Sequence, residues 1–159
     1  MDEYLSFLVY SLFRNPLLDV LSGVLDVVFS FEFLFSFFLV TLAINKERRT
    51  YLVFLALLVN GLVVASMKLL IARPRPFYGS WESSYSFPSG HASNAFLLAT
   101  FYSQLFPKRK KSSYLIASLV AFSRIYLGAH YLTDVLAGAL IGYVVAIIFI
   151  TKNRHFFKP

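Results

Sequence analysis

Long apolar segments separated by short polar stretches constrain the fold of this chain more than any other feature of its sequence. Hydrophobic residues make up 58% of the 159 residues, and the mean hydropathy is +0.67. A soluble protein of 18.1 kDa has too small a core to bury that much apolar surface. Apolar segments of about 17–25 residues match the thickness of a bilayer. The sequence therefore predicts one membrane-embedded domain over residues 1–159.

The predicted fold is all-α, an integral membrane helical bundle with about five transmembrane helices. The expected spans lie near residues 20–44, 50–71, 90–106, 113–129 and 132–151. Residues 3–14 are too short to cross a bilayer and predict an amphipathic helix at the membrane interface, which Asn15 and Pro16 end. In the last expected span, Gly138 and Gly142 form a small-residue pair that predicts close helix packing.

The net charge of +7 follows from membrane topology and a binding site. Ten of the fifteen basic residues lie in three polar regions that five spans put on one side, and the positive-inside rule makes that side cytoplasmic. The other five belong to the opposite face: Arg14, Lys68, Arg73, Arg75 and Arg124. We therefore expect no nucleic-acid partner and a cytoplasmic C-terminus. The absence of cysteine excludes disulfides and thiolate metal sites.

Three cations, Lys68, Arg75 and Arg124, are expected at the same membrane face. Charge at membrane depth is costly and usually functional, and the neighbouring sequence has too few carboxylates to neutralise all three. A phosphate is a suitable partner, because arginine forks grip two oxygens and lysine adds a point charge. Ser89 and Gly90 precede an apolar run and predict a helix start, whose free N–H groups and dipole also favour an anion.

Histidines and a carboxylate accompany these cations. His130 and Asp134 are four residues apart, so on a helix they would share one face. A carboxylate bonded to one ring nitrogen leaves the other nitrogen free to attack. His91, at the other helix start, is positioned to protonate a leaving oxygen. His130 and Asp134 also have the spacing of a metal-ligand pair, but the nearby arginines would repel a divalent cation.

The pattern as a whole resembles the three-part signature of the type 2 phosphatidic acid phosphatase (PAP2) superfamily. Eleven fixed residues match in order: Lys68, Arg75, Pro76, Pro88, Ser89, Gly90, His91, Ser123, Arg124, His130 and Asp134. The resemblance implies that His130 is a nucleophile forming a phosphohistidine, that Asp134 orients it, and that His91 is the general acid. It implies that the other site residues hold phosphate: Lys68, Arg75, Ser89, Gly90 and Arg124. Neither metal nor cofactor is implied.

Several activities share these motifs. Short bacterial relatives include lipid A phosphatases, undecaprenyl diphosphate phosphatases and phosphatidylglycerophosphate phosphatases, and the minimal chain favours the lipid A 1-phosphatase type. The expected partners are a lipid phosphate substrate and membrane lipids, in a bacterial inner membrane with the site facing the periplasm or exterior. A phosphotransferase using an acceptor lipid and a non-enzymatic anion-binding membrane protein are the alternatives.

Other polar residues have less specific interpretations. Arg73 lies outside the signature, which favours a structural or interfacial charge over a direct phosphate contact. Three acidic residues, Asp19, Asp26 and Glu32, lie in or next to the first expected span. We favour structural pairing of these acids, or a neutral Glu32, while a role in positioning substrate or a cation stays open. The aromatic residues Tyr78, Trp81 and Tyr85 predict an interfacial belt.

Overall fold

The computed structural model describes residues 1–44, 46–79 and 84–157, and the secondary structure within those ranges is helical, without strands. The helices are α1 (Asp2–Leu12), α2 (Pro16–Val28), α3 (Phe31–Ile44), α4 (Arg48–Ile71), α5 (Gly90–Leu105), α6 (Lys110–Tyr126) and α7 (Leu132–Lys152). Two short 3-10 helices follow α5 and α7, at Pro107–Arg109 and Arg154–Phe156. The prediction of an all-α fold is confirmed.

Fewer helices meet a length and hydropathy criterion for a span than the sequence has apolar segments. In the part of the chain that the structure describes, α4 and α7 are long and apolar enough to cross a bilayer, and the α2–α3 pair together meets the same criterion. At 16 and 17 residues, α5 and α6 are shorter. The five-span count therefore stays a prediction. So does the interfacial position of α1, although the predicted helix itself is present.

The expected span over residues 20–44 is not a single straight helix, because α2 and α3 meet at a bend of 52°. The break falls at Phe29 and Ser30, where Ser30 Oγ accepts a hydrogen bond of 3.1 Å from the N–H of Phe33. A serine at this position caps the new helix and so competes with continuation of the old one. Asn94 of α5 donates to the carbonyl oxygen of Phe29 over 3.2 Å, which satisfies a backbone group that the break exposes.

The site end of the bundle is set by the packing of α5 against α7. A Cβ atom on Gly138 would lie 2.3 Å from the carbonyl oxygen of Ser89, and one on Gly142 would lie 1.9 Å from that of Ser93. The predicted close packing at these glycines is confirmed. Because the contacts advance together along both helices, α5 and α7 run in the same direction, and the N-terminus of α5 lies beside the first two turns of α7.

A buried polar cluster fixes α4 against α5 beneath that end. Ser93 Oγ donates to Asn60 Oδ1 over 2.7 Å, and Asn60 Nδ2 donates to Asn94 Oδ1 over 3.0 Å. All three side chains are nearly or fully buried. Since Asn94 also holds the α2–α3 break, this cluster fixes the position of the break relative to the N-terminus of α5.

Candidate active site

Six of the eight residues predicted for the site line one cavity of about 660 Å³ at this end of the bundle. They are Lys68, Arg75, Gly90, His91, Arg124 and His130. The remaining two, Ser89 and Asp134, are fully buried beside the cavity. The N–H of Ser89 donates to the carbonyl oxygen of Asp134 over 2.9 Å, which joins the start of α5 to the start of α7.

His130 does not lie on a helix, contrary to the expectation that it shares a helical face with Asp134. Helix α7 begins at Leu132 with Tyr131 as its N-cap, so His130 precedes the cap while Asp134 occupies the third helical position. Asp134 Oδ2 accepts a hydrogen bond of 2.9 Å from the N–H of Tyr131. The four-residue spacing thus brings the two side chains together through a capping box, with Nδ1 of His130 3.7 Å from Asp134 Oδ2.

The His130 ring is 2% exposed, and its Nδ1 atom lacks a hydrogen-bond partner among the described residues. Burial lowers the pKa of His130 to about 3, and the nearby charges of Arg124, Arg75 and Lys68 act in the same direction. The imidazole is therefore neutral over the physiological pH range. A neutral ring retains a lone pair, as a nucleophile requires.

Asp134 is held by Arg73, a residue that sequence reasoning placed outside the site. Arg73 Nη1 donates to Asp134 Oδ1 and to Thr133 Oγ1, each over 2.7 Å, and Nη2 donates to Asp2 Oδ2 over 2.8 Å. Burial raises the pKa of the Asp2 carboxyl, but hydrogen bonds from Thr133 and Arg73 outweigh it and hold that pKa below its usual value. The structural role favoured for Arg73 is therefore observed, and it joins α1 to the start of α7.

Arg75 and Lys68 hold the segment that leads into α5. Arg75 donates from Nε to the carbonyl oxygen of Ser84 over 3.0 Å, from Nη2 to Ser84 Oγ over 2.8 Å, and from Nη1 to the carbonyl oxygen of Ala129 over 2.7 Å. Lys68 Nζ donates to the carbonyl oxygen of Tyr85. Both cations line the cavity and are braced by backbone oxygens rather than by carboxylates at these contacts.

The third cation is paired with an acid from another helix. Arg124 is 1% exposed and its Nη1 contacts Asp26 Oδ1. Asp26 also contacts His91, whose Nε2 lies 2.8 Å from the backbone oxygen and 3.1 Å from Oδ1 of Asp26. From the sequence, a role in positioning a cation was open for Asp26, but no link to His91 was predicted. The only available signal was an acidic residue in an apolar segment.

The other acids of the first expected span have different surroundings. Asp19 Oδ1 accepts a hydrogen bond of 2.7 Å from the Tyr126 hydroxyl and lies 3.2 Å from Arg14 Nη1, so its predicted structural pairing is confirmed. Glu32, at the start of α3, lines the cavity beside Phe31.

The start of α5 has the features of an anion site. Ser89 is the N-cap, and its Oγ accepts from the N–H of Ala92 over 3.5 Å. A Cβ on Gly90 would meet only Val64, at 3.7 Å, so open cavity lies beside this backbone. The predicted helix start is confirmed, and its positive dipole end faces the same cavity as the three cations.

The aromatic belt expected at the membrane interface stays a prediction. Trp81 lies outside the described residues. The ring centroid of Tyr78 lies 5.4 Å from that of Phe7 and 5.0 Å from that of Tyr10. Within the described ranges, no group of three or more histidine or acidic side chains has the arrangement of a metal site. Independence of metal nevertheless stays a prediction.

Several known proteins are similar to this chain in sequence or in architecture. The sequence model of the PAP2 superfamily matches residues 49–157. Phosphatidylglycerophosphatase B of Bacillus subtilis is 35% identical over 89% of this chain and 77% of that protein. Lipid A 1-phosphatase of Rhizobium johnstonii is 32% identical over 56% of this chain and 41% of that protein. The crystal structure of Aquifex aeolicus LpxE superposes with a TM-score of 0.81 at 31% identity, over 94% of both chains.

Proposed function

This chain belongs to the PAP2 superfamily of membrane phosphatases, and we propose that it removes phosphate from a membrane lipid by attack of His130 on phosphorus. The observation that carries the proposal is the position of His130. Its side chain lines a cavity that three cations also line, and its Nδ1 atom faces the buried carboxylate of Asp134. A neutral nucleophile beside a cationic anion site is the arrangement that phosphoryl transfer requires.

The proposed reaction has two balanced steps. The lone pair of His130 Nε2 attacks phosphorus, the bond from phosphorus to the lipid oxygen breaks, and His91 gives that oxygen a proton. The product is a phosphohistidine and a free lipid hydroxyl. Water then attacks phosphorus and loses a proton to His91, the phosphorus–nitrogen bond breaks, and inorganic phosphate leaves. Both histidines thus return to their starting protonation states.

Three cations supply the charge complementarity for this reaction. Lys68, Arg75 and Arg124 line the same cavity as the nucleophile, with the N-terminus of α5 alongside. Charge spread over the equatorial phosphate oxygens in the transition state is stabilised by fixed donors of this kind. The donors are held by backbone oxygens and by Asp26 before substrate arrives, so little reorganisation is needed.

The cavity also has an apolar side that suits a lipid. Leu58, Gly61, Leu62 and Val64 of α4 line it together with Phe31 of α3. Helix α4, and the bent pair α2–α3, are apolar and long enough to cross a bilayer, which would let acyl or isoprenoid chains remain among membrane lipids while the phosphate enters. This combination of an apolar wall and a cationic end favours a lipid phosphate over a soluble one.

Among lipid phosphates, we put phosphatidylglycerophosphate and lipid A 1-phosphate first. The relative of Bacillus subtilis acts, by its name, on the former, and it aligns with 89% of this chain. The relative of Rhizobium johnstonii acts, by its name, on the latter. Undecaprenyl diphosphate is the next candidate. We further propose that the chain resides in a bacterial inner membrane with the site facing outward and the basic C-terminus in the cytoplasm.

The test is phosphate release by the purified protein in detergent micelles with excess chelator. The substrates are phosphatidylglycerophosphate, lipid A, undecaprenyl diphosphate and phosphatidic acid, beside a His130→Ala control. We expect release from at least one lipid, unaffected by chelator and abolished in the control. Release that required an acceptor lipid would identify a phosphotransferase instead. Phosphate binding without turnover of any lipid would favour an anion-binding protein and contradict the phosphatase proposal.

A further inference from the structure

Asp26 makes contacts that tie it to the reacting groups rather than to the fold alone. It lies in the last turn of α2, three residues before the break that Asn94 holds. Its carboxylate oxygen Oδ1 contacts both Arg124 Nη1 and His91 Nε2, the latter at 3.1 Å. All three side chains line the cavity. One acid from the N-terminal part of the chain therefore holds two groups that belong to the signature motifs.

The backbone contact of Asp26 determines which nitrogen of His91 carries hydrogen. The carbonyl oxygen of Asp26 lies 2.8 Å from His91 Nε2. A carbonyl oxygen can only accept a hydrogen bond, so Nε2 must be the protonated nitrogen. Proton exchange with substrate is then left to Nδ1. When Nδ1 is protonated as well, the ring is a cation, and the neighbouring carboxylate stabilises it.

We propose that Asp26 is a positioning residue for His91. It fixes the Nε2–H tautomer and stabilises the imidazolium that donates a proton from Nδ1 to the leaving lipid oxygen. The inference rests on the proposed phosphatase function, because it assigns the origin of the proton in the first step of that reaction. The proton goes from Nδ1 to the oxygen as the bond between oxygen and phosphorus breaks, and Nε2 keeps its hydrogen throughout.

The same contacts would be made by an acid whose only task is to neutralise Arg124. The two roles differ in how their loss depends on the leaving group. A lipid alkoxide is a poor leaving group and needs the proton, whereas 4-nitrophenolate is stable as an anion and leaves without one. Loss of a general acid therefore affects lipid phosphate much more than 4-nitrophenyl phosphate. Loss of Arg124 positioning affects both, since both carry the phosphate that Arg124 contacts.

The experiment compares kcat/KM for phosphatidic acid and 4-nitrophenyl phosphate in Asp26→Asn, His91→Gln and the double variant. Asp26→Asn keeps the shape and the backbone carbonyl and removes the negative charge. We expect the fall on the lipid to exceed the fall on the aryl phosphate by about tenfold or more, because any loss through Arg124 is common to both substrates. The ratio of the two losses should be no larger in the double variant than in His91→Gln, because both changes act on one proton transfer.

Asp19→Asn is the matched control, because Asp19 is also a carboxylate of α2, but it contacts Arg14 and Tyr126 instead of His91 and Arg124. Equal losses on the two substrates in Asp26→Asn, or no loss on either, would overturn the inference. If Asp26→Asn fails to fold, Asp26→Glu, which displaces the carboxylate by one methylene, must show the same selective loss. Failure of the phosphatase proposal is recognised separately, by wild-type protein that releases no phosphate or by activity that survives His130→Ala.

Discussion

Asp134 is bonded to Arg73 more closely than to the histidine it is expected to orient. Arg73 Nη1 lies 2.7 Å from Asp134 Oδ1, whereas His130 Nδ1 lies 3.7 Å from Asp134 Oδ2. With the second oxygen also accepting from Tyr131 N–H, the carboxylate is fixed on two sides. A small movement of the His130 ring would close the remaining gap when substrate binds, as is common for catalytic contacts that are long in empty sites.

Replacing Arg73 by Gln should reduce kcat for the lipid substrate by roughly 10- to 100-fold, because a hydrogen bond to a charged group contributes about 1.5–3 kcal/mol. Arg73 does not line the cavity, so KM should change little. Steady-state phosphate release measures both constants. Arg14→Gln is the control, since it removes a half-exposed arginine paired with Asp19. A rise in KM at constant kcat would contradict the role of Arg73 in holding Asp134.

The motif residues were accessible to sequence reasoning because a membrane restricts where charge can be. Lys68, Arg75 and Arg124 follow or end apolar segments, so they were expected at one face, and they do line one cavity. The paired glycines of α7 were likewise sufficient to predict close packing. Such inferences need only segment order and the energetic cost of buried charge.

Other features depend on contacts between distant segments. The break between α2 and α3 is stabilised by Asn94, which lies 65 residues after Phe29. The link between Asp26 and His91 likewise spans 65 residues, and no spacing rule reports it. His130 was expected on a helix, but it precedes Tyr131, the N-cap of α7. Asp134, in the first turn, caps that helix by accepting from the N–H of Tyr131. Each difference is decided by tertiary packing rather than by local periodicity.

The guanidinium of Arg75 should not be replaceable by an ammonium. Its Nε, Nη1 and Nη2 atoms each donate to a different oxygen, of Ser84 or Ala129, in fixed directions. Lysine provides a point charge and cannot reproduce this fork. We expect Arg75→Lys to lower kcat/KM by roughly 100-fold or more, nearly as much as Arg75→Ala. Near-native turnover by Arg75→Lys would show that charge alone is sufficient at this position.

The α5–α7 contact should be intolerant of any side chain at Gly142. A Cβ there would lie 1.9 Å from the carbonyl oxygen of Ser93, so Gly142→Ala must push the two helices apart. Overpacking of this kind costs about 1–3 kcal/mol, which thermal unfolding in detergent would detect as a lower midpoint. Gly23→Ala is the control, because no atom lies within 4 Å of its Cβ position. That control should gain about 0.5–1 kcal/mol from helix propensity.

Buried His130 should make the folded protein sensitive to acid. Burial lowers its pKa from 6.5 to about 3, so between these values the unfolded chain binds a proton that the folded chain excludes. The stability of the folded state is therefore highest above about pH 6.5 and falls as the pH decreases toward 3. Thermal midpoints should fall less steeply for His130→Gln, which has no such proton. Parallel curves for the two proteins would contradict a neutral, buried His130.

Gly61 should control access of the lipid chain to the phosphate site. It lies on the apolar wall of the cavity, where a Cβ would meet the Phe31 ring at 2.6 Å. Gly61→Val narrows the space between α3 and α4 without touching a cation or a histidine. We expect KM for the lipid substrate to rise about tenfold, with little change for 4-nitrophenyl phosphate, which has no chain to accommodate. Leu69→Val, an exposed position on the same helix, should leave both substrates unaffected. Equal impairment of lipid and aryl phosphate by Gly61→Val would mean that the α3–α4 wall supports the site but is not the path of the lipid.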